Sequence, residues 1–348
     1  MTEILTTKQR IDAFAELGKI LSSPDQQLTE LINSAQQFNA WFTPESTANA
    51  VKAIAGMLEK AKLEKWVNAY PDLPGNRPHS VGLILAGNIP LVGFHDILCV
   101  LVCGNRALIK LSSQDTKLIP YILQMLVAIE PGFCDQIKYI ERLVDFDAVI
   151  ATGSNNSSRY FEYYFSKVPH VIRKNRNSIA ILDGYENIEQ LQKLGHDIFD
   201  YFGLGCRNVS KVYVPRGYDF RHLFEGIEGF KSVIDHHKYN NNYDYNKSIF
   251  LVNMDKHLDN GFLLVKEDQR LASPLAVLYF EEYDDIITLE EELMEMADEI
   301  QCIVSSKSLA LTTVFPGDSQ KPELWDYADG LDTLAFLINI GNEKSDSR

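Results

Sequence analysis

From Val81 onward the chain alternates short, largely apolar runs with longer segments of helical character, and no other feature limits its fold as much. A strand that is apolar at every position has both faces buried, and such strands separated by helices make a mostly parallel sheet covered on both sides. The runs Val81 to Ala86, Ala107 to Leu111, Ala148 to Ala151 and Ile179 to Leu182 therefore predict an α/β fold of doubly wound, Rossmann-like domains. Ligands of such sheets bind beyond the carboxyl ends of the strands, in the loops that enter the next helix. Those loops are Gly87-Asn88-Ile89-Pro90, Ser112-Ser113-Gln114-Asp115 and Thr152-Gly153-Ser154-Asn155. In the first, Gly87 suits a tight turn, Asn88 a helix N-cap and Pro90 a first helical position. Helix N-termini gathered at one edge favour a phosphate or a developing oxyanion.

Other segments frame this core. The first 65 or so residues read as helices, with Ile11, Phe14, Leu17, Ile20 and Leu21 at helical spacing and no visible chemistry. Proline and glycine concentrate between Tyr70 and Ser80 and set a boundary near residue 76. Beyond 183, a helix from Ile188 to Tyr201 leads through Phe202-Gly203-Leu204-Gly205-Cys206-Arg207-Asn208 into a strand from Lys211 to Val214. Further strands are expected at Ser248 to Val252, Leu275 to Phe280, Cys302 to Val304 and Thr333 to Ile340, with a loop at the Asn-rich stretch Asn240 to Asp244. At 348 residues the chain exceeds one ordinary core. The expected division is a helical segment 1–75, a nucleotide-binding domain 76–182, a thiol-bearing domain 183–325 and a return or oligomerisation tail 326–348.

Composition excludes several classes. With 45% hydrophobic and 23% charged residues the chain has a globular mix. A net charge of −15, with no basic run interleaved with aromatics, argues against a nucleic-acid partner. The stretch Val81 to Cys103 is long enough to span a bilayer, but Asn88, Pro90, His95 and Asp96 lie inside it, so a strand, turn and helix are expected instead of a membrane span. Five cysteines without paired spacing and no N-terminal signal pattern point to a reducing cytoplasm.

Motifs for metals and nucleotides are weak. Gly203-x-Gly205-x-x-Asn208 lacks a third glycine and follows a helix where the dinucleotide fingerprint needs a strand. His236 and His237 are adjacent and cannot share a helical face, so no metal is expected. Cys99 and Cys103 have the spacing of a buried helical stripe, and Cys134 and Cys302 lack activating neighbours. Cys206 differs: it follows a Gly-x-Gly turn and precedes Arg207, surroundings that favour a thiolate. Local sequence leaves that reading balanced against one in which the thiol packs on the following strand.

The order of motifs resolves the balance: Ala86-Gly87-Asn88-Ile89-Pro90-Leu91, Cys103-Gly104-Asn105 with Leu108-Ile109-Lys110, Thr152-Gly153-Ser154, then Gly205-Cys206-Arg207-Asn208 with Val212-Tyr213-Val214-Pro215. This resembles the aldehyde dehydrogenase superfamily, and within it the LuxC-like acyl-CoA reductases, the fatty-acid reductase component of bacterial luciferase systems. The likeness runs from about Val81 to Phe280. It implies an aldehyde dehydrogenase-like fold, Cys206 as catalytic thiol and Asn88 as oxyanion donor. It also implies a nicotinamide cofactor held by Lys110, Ser112, Ser113, Thr152, Gly153 and Ser154. The implied reaction is reduction of an acyl-CoA, or another acyl thioester, to an aldehyde through an acyl-cysteine. A homo-oligomer and an acyl-donating partner enzyme are compatible with the resemblance.

Three departures from the superfamily sharpen this. Hydrolytic relatives carry a glutamate base in the segment corresponding to Val171 to Asn177, which here holds no carboxylate, so the acyl-enzyme would persist for reduction. Ser113 stands near the place of a glutamate that excludes a 2′-phosphate, which with Lys110 favours NADPH over the alternative, NADH. Arg270 occupies the approximate place of a glutamate that holds the nicotinamide ribose. His170, Arg173 and Lys174 are further candidates for proton donation or phosphate contact, and Tyr239, Tyr243 and Tyr245 for an acyl channel. The competing functions are acyl transfer or thioester hydrolysis by the same thiol, and a catalytically silent scaffold.

Overall fold

The computed structural model describes residues 5–73, 77–153 and 155–340. The chain divides into two units, residues 1–175 with 323–348, and residues 176–322.

Among the described residues, the first unit opens with helices α1 (Thr7–Ser22), α2 (Gln26–Ser34), α3 (Pro44–Met57) and α4 (Lys60–Asn68). A capping box starts α1: the Thr6 side chain accepts from the Gln9 N–H at 3.2 Å, and the Gln9 side chain accepts from the Thr6 N–H at 2.9 Å. Its apolar face, Ile11, Phe14, Leu17 and Leu21, is buried. Then follow β1 (Ser80–Ile84), α5 (Phe94–Val102), β2 (Arg106–Lys110), α6 (Leu118–Ile129), β3 (Ile137–Tyr139), β4 (Ala148–Thr152), α7 (Asn155–Phe165) and β5 (His170–Arg173). The strands form one parallel sheet in the order β3-β2-β1-β4-β5. Chain order reverses at β1, the place where doubly wound sheets open a crevice for ligands. Ile84 lies opposite Lys110 on one side, and on the other it pairs with Ala151, so β1, β2 and β4 end level with one another.

The second unit contains β6 (Asn177–Ile181), α8 (Ile188–Phe199), β7 (Val209–Pro215), α9 (Phe220–Ile227), α10 (His237–Asn253), β8 (Leu258–Asp259), β9 (Leu264–Glu267), β10 (Val277–Tyr283), α11 (Ile286–Glu295) and β11 (Ile300–Val304). Its sheet runs β11-β6-β7-β10-β9-β8, parallel except for the β8-β9 pair. One face packs Ile179, Ile181, Tyr213, Leu271 and Ile303 against Leu289 and Leu293 of α11. Residues from 323 rejoin the first unit and end in α12 (Thr333–Asn339).

Several expectations are corrected. Ser248 to Val252 is the end of α10, not a strand. Only Phe250 of its apolar run is buried, while Leu251 and Val252 are 61% and 81% exposed. The Asn-rich stretch is helical too, because its amides bond along the helix: Asn242 to the Lys238 carbonyl at 2.8 Å and Asn246 to the Asn242 carbonyl at 2.9 Å. Tyr239 and Tyr243 are buried in this helix, with hydroxyls bonded to the Phe262 carbonyl and to Asp259, whereas Tyr245 is exposed. Thr333 to Ile340 also forms a helix in place of a strand, capped by the Asp332 carboxylate, which accepts from the Ala335 N–H at 2.9 Å. Finally, α5 begins at Phe94, with Gly93 as N-cap, so Asn88 and Pro90 belong to a turn that precedes the helix.

Candidate active site

The level ends of β1, β2 and β4 bring most of the expected cofactor residues to one edge of the first sheet. Lys110 is the last residue of β2 and is exposed, with Ser112 and exposed Ser113 in the loop after it. Thr152 ends β4 and Gly153 follows at once, while Ser154 lies outside the described residues. Asn88 sits half-buried in the loop after β1. Two glycines permit close packing here. A β-carbon on Gly87 would collide with the Ser112 side chain, and one on Gly153 would press on Ser157 and Phe161 of α7.

One buried carboxylate joins the first two loops. Asp115 Oδ2 accepts from the Leu91 N–H at 3.1 Å, and Oδ1 accepts from the Leu118 N–H at 3.2 Å at the start of α6. Burial pushes the Asp115 carboxyl up, and the backbone N–H groups of Leu91 and Leu118 pull it back only in part. Leu91 has φ 61°, a left-handed backbone that a leucine adopts only under constraint, and this is why no helix starts at Pro90. From the N-terminal helices, buried Asn39 directs its amide at the carbonyls of Gly87 and Gln114, each at 3.5 Å. The helical segment in which the sequence shows no chemistry thus braces both loops. The Asp-x-x-Leu spacing ahead of α6 is the one sequence sign of Asp115, and nothing local marks Asn39.

Cys206 belongs to the second unit, in the turn between α8 and β7. It is exposed, whereas Cys99 and Cys103 are buried in and just after α5, with burial pushing the Cys103 thiol up to about 12. The turn is left-handed at three successive residues: Tyr201 (φ 53°), Phe202 (φ 60°) and Gly203 (φ 77°). Two of these carry side chains, at about 1–2 kcal/mol each for the left-handed state. Buried Asn208 holds the turn shut. Its amide donates to the Asp197 carbonyl at 3.1 Å and the Asp200 carbonyl at 2.8 Å, and its oxygen accepts from the Gly205 N–H at 2.8 Å.

From β6, Ser178 Oγ donates to the Cys206 carbonyl at 2.9 Å and accepts from the Cys302 thiol at 3.1 Å. Cys302 therefore has company that its local sequence hides. Burial raises its thiol, while Arg207 and Ser178 oppose the rise. Arg207 also donates to the Ser319 carbonyl at 3.3 Å, and the Asp197 carboxylate accepts from the Gly317 N–H at 2.6 Å and the Ser319 N–H at 3.0 Å. The segment around Ser319 thereby buttresses both ends of the thiol turn.

Other candidates are committed elsewhere. Buried Arg173 donates from Nη2 to Asp96 Oδ1 at 2.6 Å and to Thr333 Oγ1 at 2.9 Å, from Nε to Asp96 Oδ2 at 3.2 Å, and from Nη1 to the Ala328 carbonyl at 2.6 Å. It fastens the returning C-terminal segment to α5 and β5 and is not placed to meet a substrate phosphate. Lys174 pairs with Glu162 at 2.8 Å, and His170 Nδ1 lies 2.9 Å from the Val168 carbonyl. Arg270 forms an ion pair with Asp268 at 2.6 Å and also donates to the Tyr279 hydroxyl, holding the Asp268 carboxyl down to about 2. Among the described residues no group of three or more His, Cys, Asp or Glu side chains could hold a metal, and no helix is long and apolar enough to cross a membrane.

Solved structures of similar fold include aldehyde dehydrogenases. The aldehyde dehydrogenase KauB of Pseudomonas aeruginosa is 15% identical, with a TM-score of 0.62 over 88% of this chain and 73% of that one. The NADP-dependent glyceraldehyde-3-phosphate dehydrogenase of Bacillus halodurans, solved with NADP, is 14% identical, with a TM-score of 0.63 over 87% and 74%. An NAD-dependent aldehyde dehydrogenase of Sinorhizobium meliloti is 10% identical, with a TM-score of 0.65 over 88% and 71%. At these identities the likeness establishes the aldehyde dehydrogenase fold. No curated protein matches the sequence. The model of the acyl-CoA reductase (LuxC) family matches residues 19–220, a span that holds both glycine-bearing loops, Asp115 and the whole Cys206 turn. With more than half of its length matched, the chain belongs to the acyl-CoA reductase (LuxC) family.

Proposed function

We propose that this chain is an NADPH-dependent oxidoreductase that reduces a fatty acyl thioester, such as an acyl-CoA, to an aldehyde through an acyl-cysteine at Cys206. The observation that carries this reading is the Cys206 turn: an exposed thiol just after the left-handed backbone of Tyr201 to Gly203, in a turn that buried Asn208 and Ser178 hold in place. Backbone strain kept by surrounding bonds in the turn that leads into an exposed cysteine suits a nucleophile.

In this mechanism the Cys206 thiolate attacks the thioester carbonyl carbon, forming a C–S bond. The side-chain amide of Asn88 and the Cys206 N–H hold the tetrahedral oxyanion, and the C–S bond to the carrier breaks, releasing its thiol. A bound nicotinamide would supply the hydride, two electrons and one hydrogen, that reduces the acyl carbonyl carbon. Cys206 then leaves as thiolate as the aldehyde forms. Lys110, Ser112, Ser113, Thr152 and Gly153 would hold the nucleotide at the carboxyl edge of the first sheet, where Gly87 and Gly153 let Ser112 and α7 pack closely against the loops. Ser113 in place of a carboxylate, with Lys110 beside it, favours the 2′-phosphate of NADPH. The segment from Val171 to Asn177 offers no carboxylate to activate water, so the acyl-enzyme waits for reduction.

The test is NADPH oxidation with medium- and long-chain acyl-CoA, with the aldehyde trapped, in wild type and Cys206→Ala and with NADH in parallel. Aldehyde that disappears in Cys206→Ala supports the proposal. Thioester loss without NADPH oxidation would make the chain an acyltransferase or thioesterase, and no turnover at any chain length would leave a scaffold. Asn88→Ala is expected to slow turnover by about 100- to 1,000-fold.

A further inference from the structure

The two loops at the carboxyl edge of the first sheet are built as one piece. Asp115, at the end of the loop that carries Ser112 and Ser113, accepts the Leu91 N–H with one carboxylate oxygen and the Leu118 N–H with the other. Two separate donors need two acceptor atoms, which a carboxylate has and a side-chain amide or single hydroxyl does not provide in the same place. The bond to Leu91 holds that residue in its left-handed conformation at φ 61°. Between Leu91 and Asn88 stand only Ile89 and Pro90. The proline ring fixes its own φ and restricts the residue before it, so a displacement of Leu91 is passed to Asn88 with little absorbed on the way. On the far side of the same loop, the Ser112 side chain lies against Gly87, and Asn39 reaches the carbonyls of both Gly87 and Gln114.

From this bracing we propose that Asp115 is a positioning residue of the reaction, setting the place of the Asn88 amide through Leu91 and tying it to the loop that holds the nucleotide. The inference rests on the reading of Asn88 as oxyanion donor. It implies that the loop of Ser112 and Ser113 and the loop of Asn88 move together, so that a nucleotide on one orders the donor on the other.

The experiment is a double-mutant cycle on the full chain with Asn88→Ala and Asp115→Asn, read as the single-turnover release of CoA thiol when an acyl-CoA acylates Cys206. Amide exchange at Leu91 and the melting temperature are measured alongside. Asp115→Asn keeps one acceptor and the side-chain volume. It is expected to speed Leu91 exchange at least tenfold and, with Asn88 present, to slow acylation by up to about 100-fold, the penalty of a donor misplaced by about an ångström. In the Asn88→Ala background the same change should slow acylation less than threefold, because the group it positions is gone. A general loss of fold would slow both backgrounds equally, and that result overturns the proposal. Unchanged Leu91 exchange overturns it as well. If exchange speeds up but Asn88→Ala alone leaves acylation unchanged, the oxyanion role of Asn88 fails and the positioning role falls with it.

Discussion

Asn208 offers the sharpest test of how the thiol turn is held. Asn208→Ala removes three hydrogen bonds at 2.8, 2.8 and 3.1 Å. At about 1 kcal/mol net for each, the loss is about 3 kcal/mol. Against it stands the left-handed backbone of Tyr201 and Phe202, which costs roughly 2–4 kcal/mol for the pair. The two amounts are comparable, so without Asn208 the turn has nothing in reserve and opens roughly 100-fold more often, at a factor of ten for each 1.4 kcal/mol. The isosteric change is predicted to be worse. Asn208→Asp would turn a carboxylate oxygen toward the carbonyl oxygens of Asp197 and Asp200, which now accept from the amide, and would leave a buried charge with the Gly205 N–H as its one donor from this set. Urea unfolding of the second unit, with alkylation of Cys206 by iodoacetamide as a local probe, measures both. The expected order of stability is wild type, then Asn208→Ala, then Asn208→Asp, and because Cys206 is already exposed in the folded chain, its alkylation rate without urea should change in Asn208→Ala. An Asn208→Asp variant as stable as wild type, or an Asn208→Ala loss under about 0.5 kcal/mol, would refute the argument.

Three further outcomes follow from the same geometry. Arg173→Met should lower stability by about 3–5 kcal/mol by stranding buried Asp96, and Asp96→Leu added to it should recover much of the loss. Chemical denaturation checks this, and KM for acyl-CoA should not change in the folded fraction. Gly87→Ala should lose about 1–3 kcal/mol from the collision with Ser112 and raise KM for NADPH, and Ser112→Gly should relieve the loss of stability; thermal melts and cofactor titration measure them. His196 is raised by its hydrogen bond to Asp200, against the effect of burial. A group whose folded value is raised stabilises fully below its unfolded value, near 6.5, and loses that contribution as pH rises through the folded value. Because the imidazole is more than half exposed, the contribution is only a few tenths of a kcal/mol. Wild type should therefore out-melt His196→Gln slightly at pH 6 and match it at pH 9.

The buried parallel strands are legible in the sequence because burial on both faces leaves a continuous apolar run, as at Val81 to Ile84 and Ala148 to Ala151. The same signal misleads at Ile249 to Val252 and Leu334 to Ile340, where four or five apolar residues are too few to separate a strand from one turn of helix. The loop of Asn88 can be located from its Gly and Pro, but not its conformation. That depends on a carboxylate 24 positions after Leu91. Arg173 reads as an exposed cation because its partners lie 77 and 160 positions away. The strain at the thiol turn is invisible for a different reason: Tyr201 and Phe202 are not residues that sequence associates with a left-handed backbone.

The ion pair of Arg173 with Asp96, closed by Thr333 and the Ala328 carbonyl, also bears on how the chain comes off the ribosome. Trp66 and Tyr70 are bonded to Tyr327 in the same returning segment, and His95 reaches the Leu324 carbonyl. Leu324, Tyr327, Ala328 and Thr333 emerge only after residues 176–322 have been made. The second unit is one uninterrupted stretch and can fold as it appears. The first must wait with only Asp96 to meet the Arg173 guanidinium and with Trp66, Tyr70 and His95 lacking their partners from the returning segment. Residues 176–322, which hold every bond described at the Cys206 turn, are thus made before the returning segment that fastens the first unit.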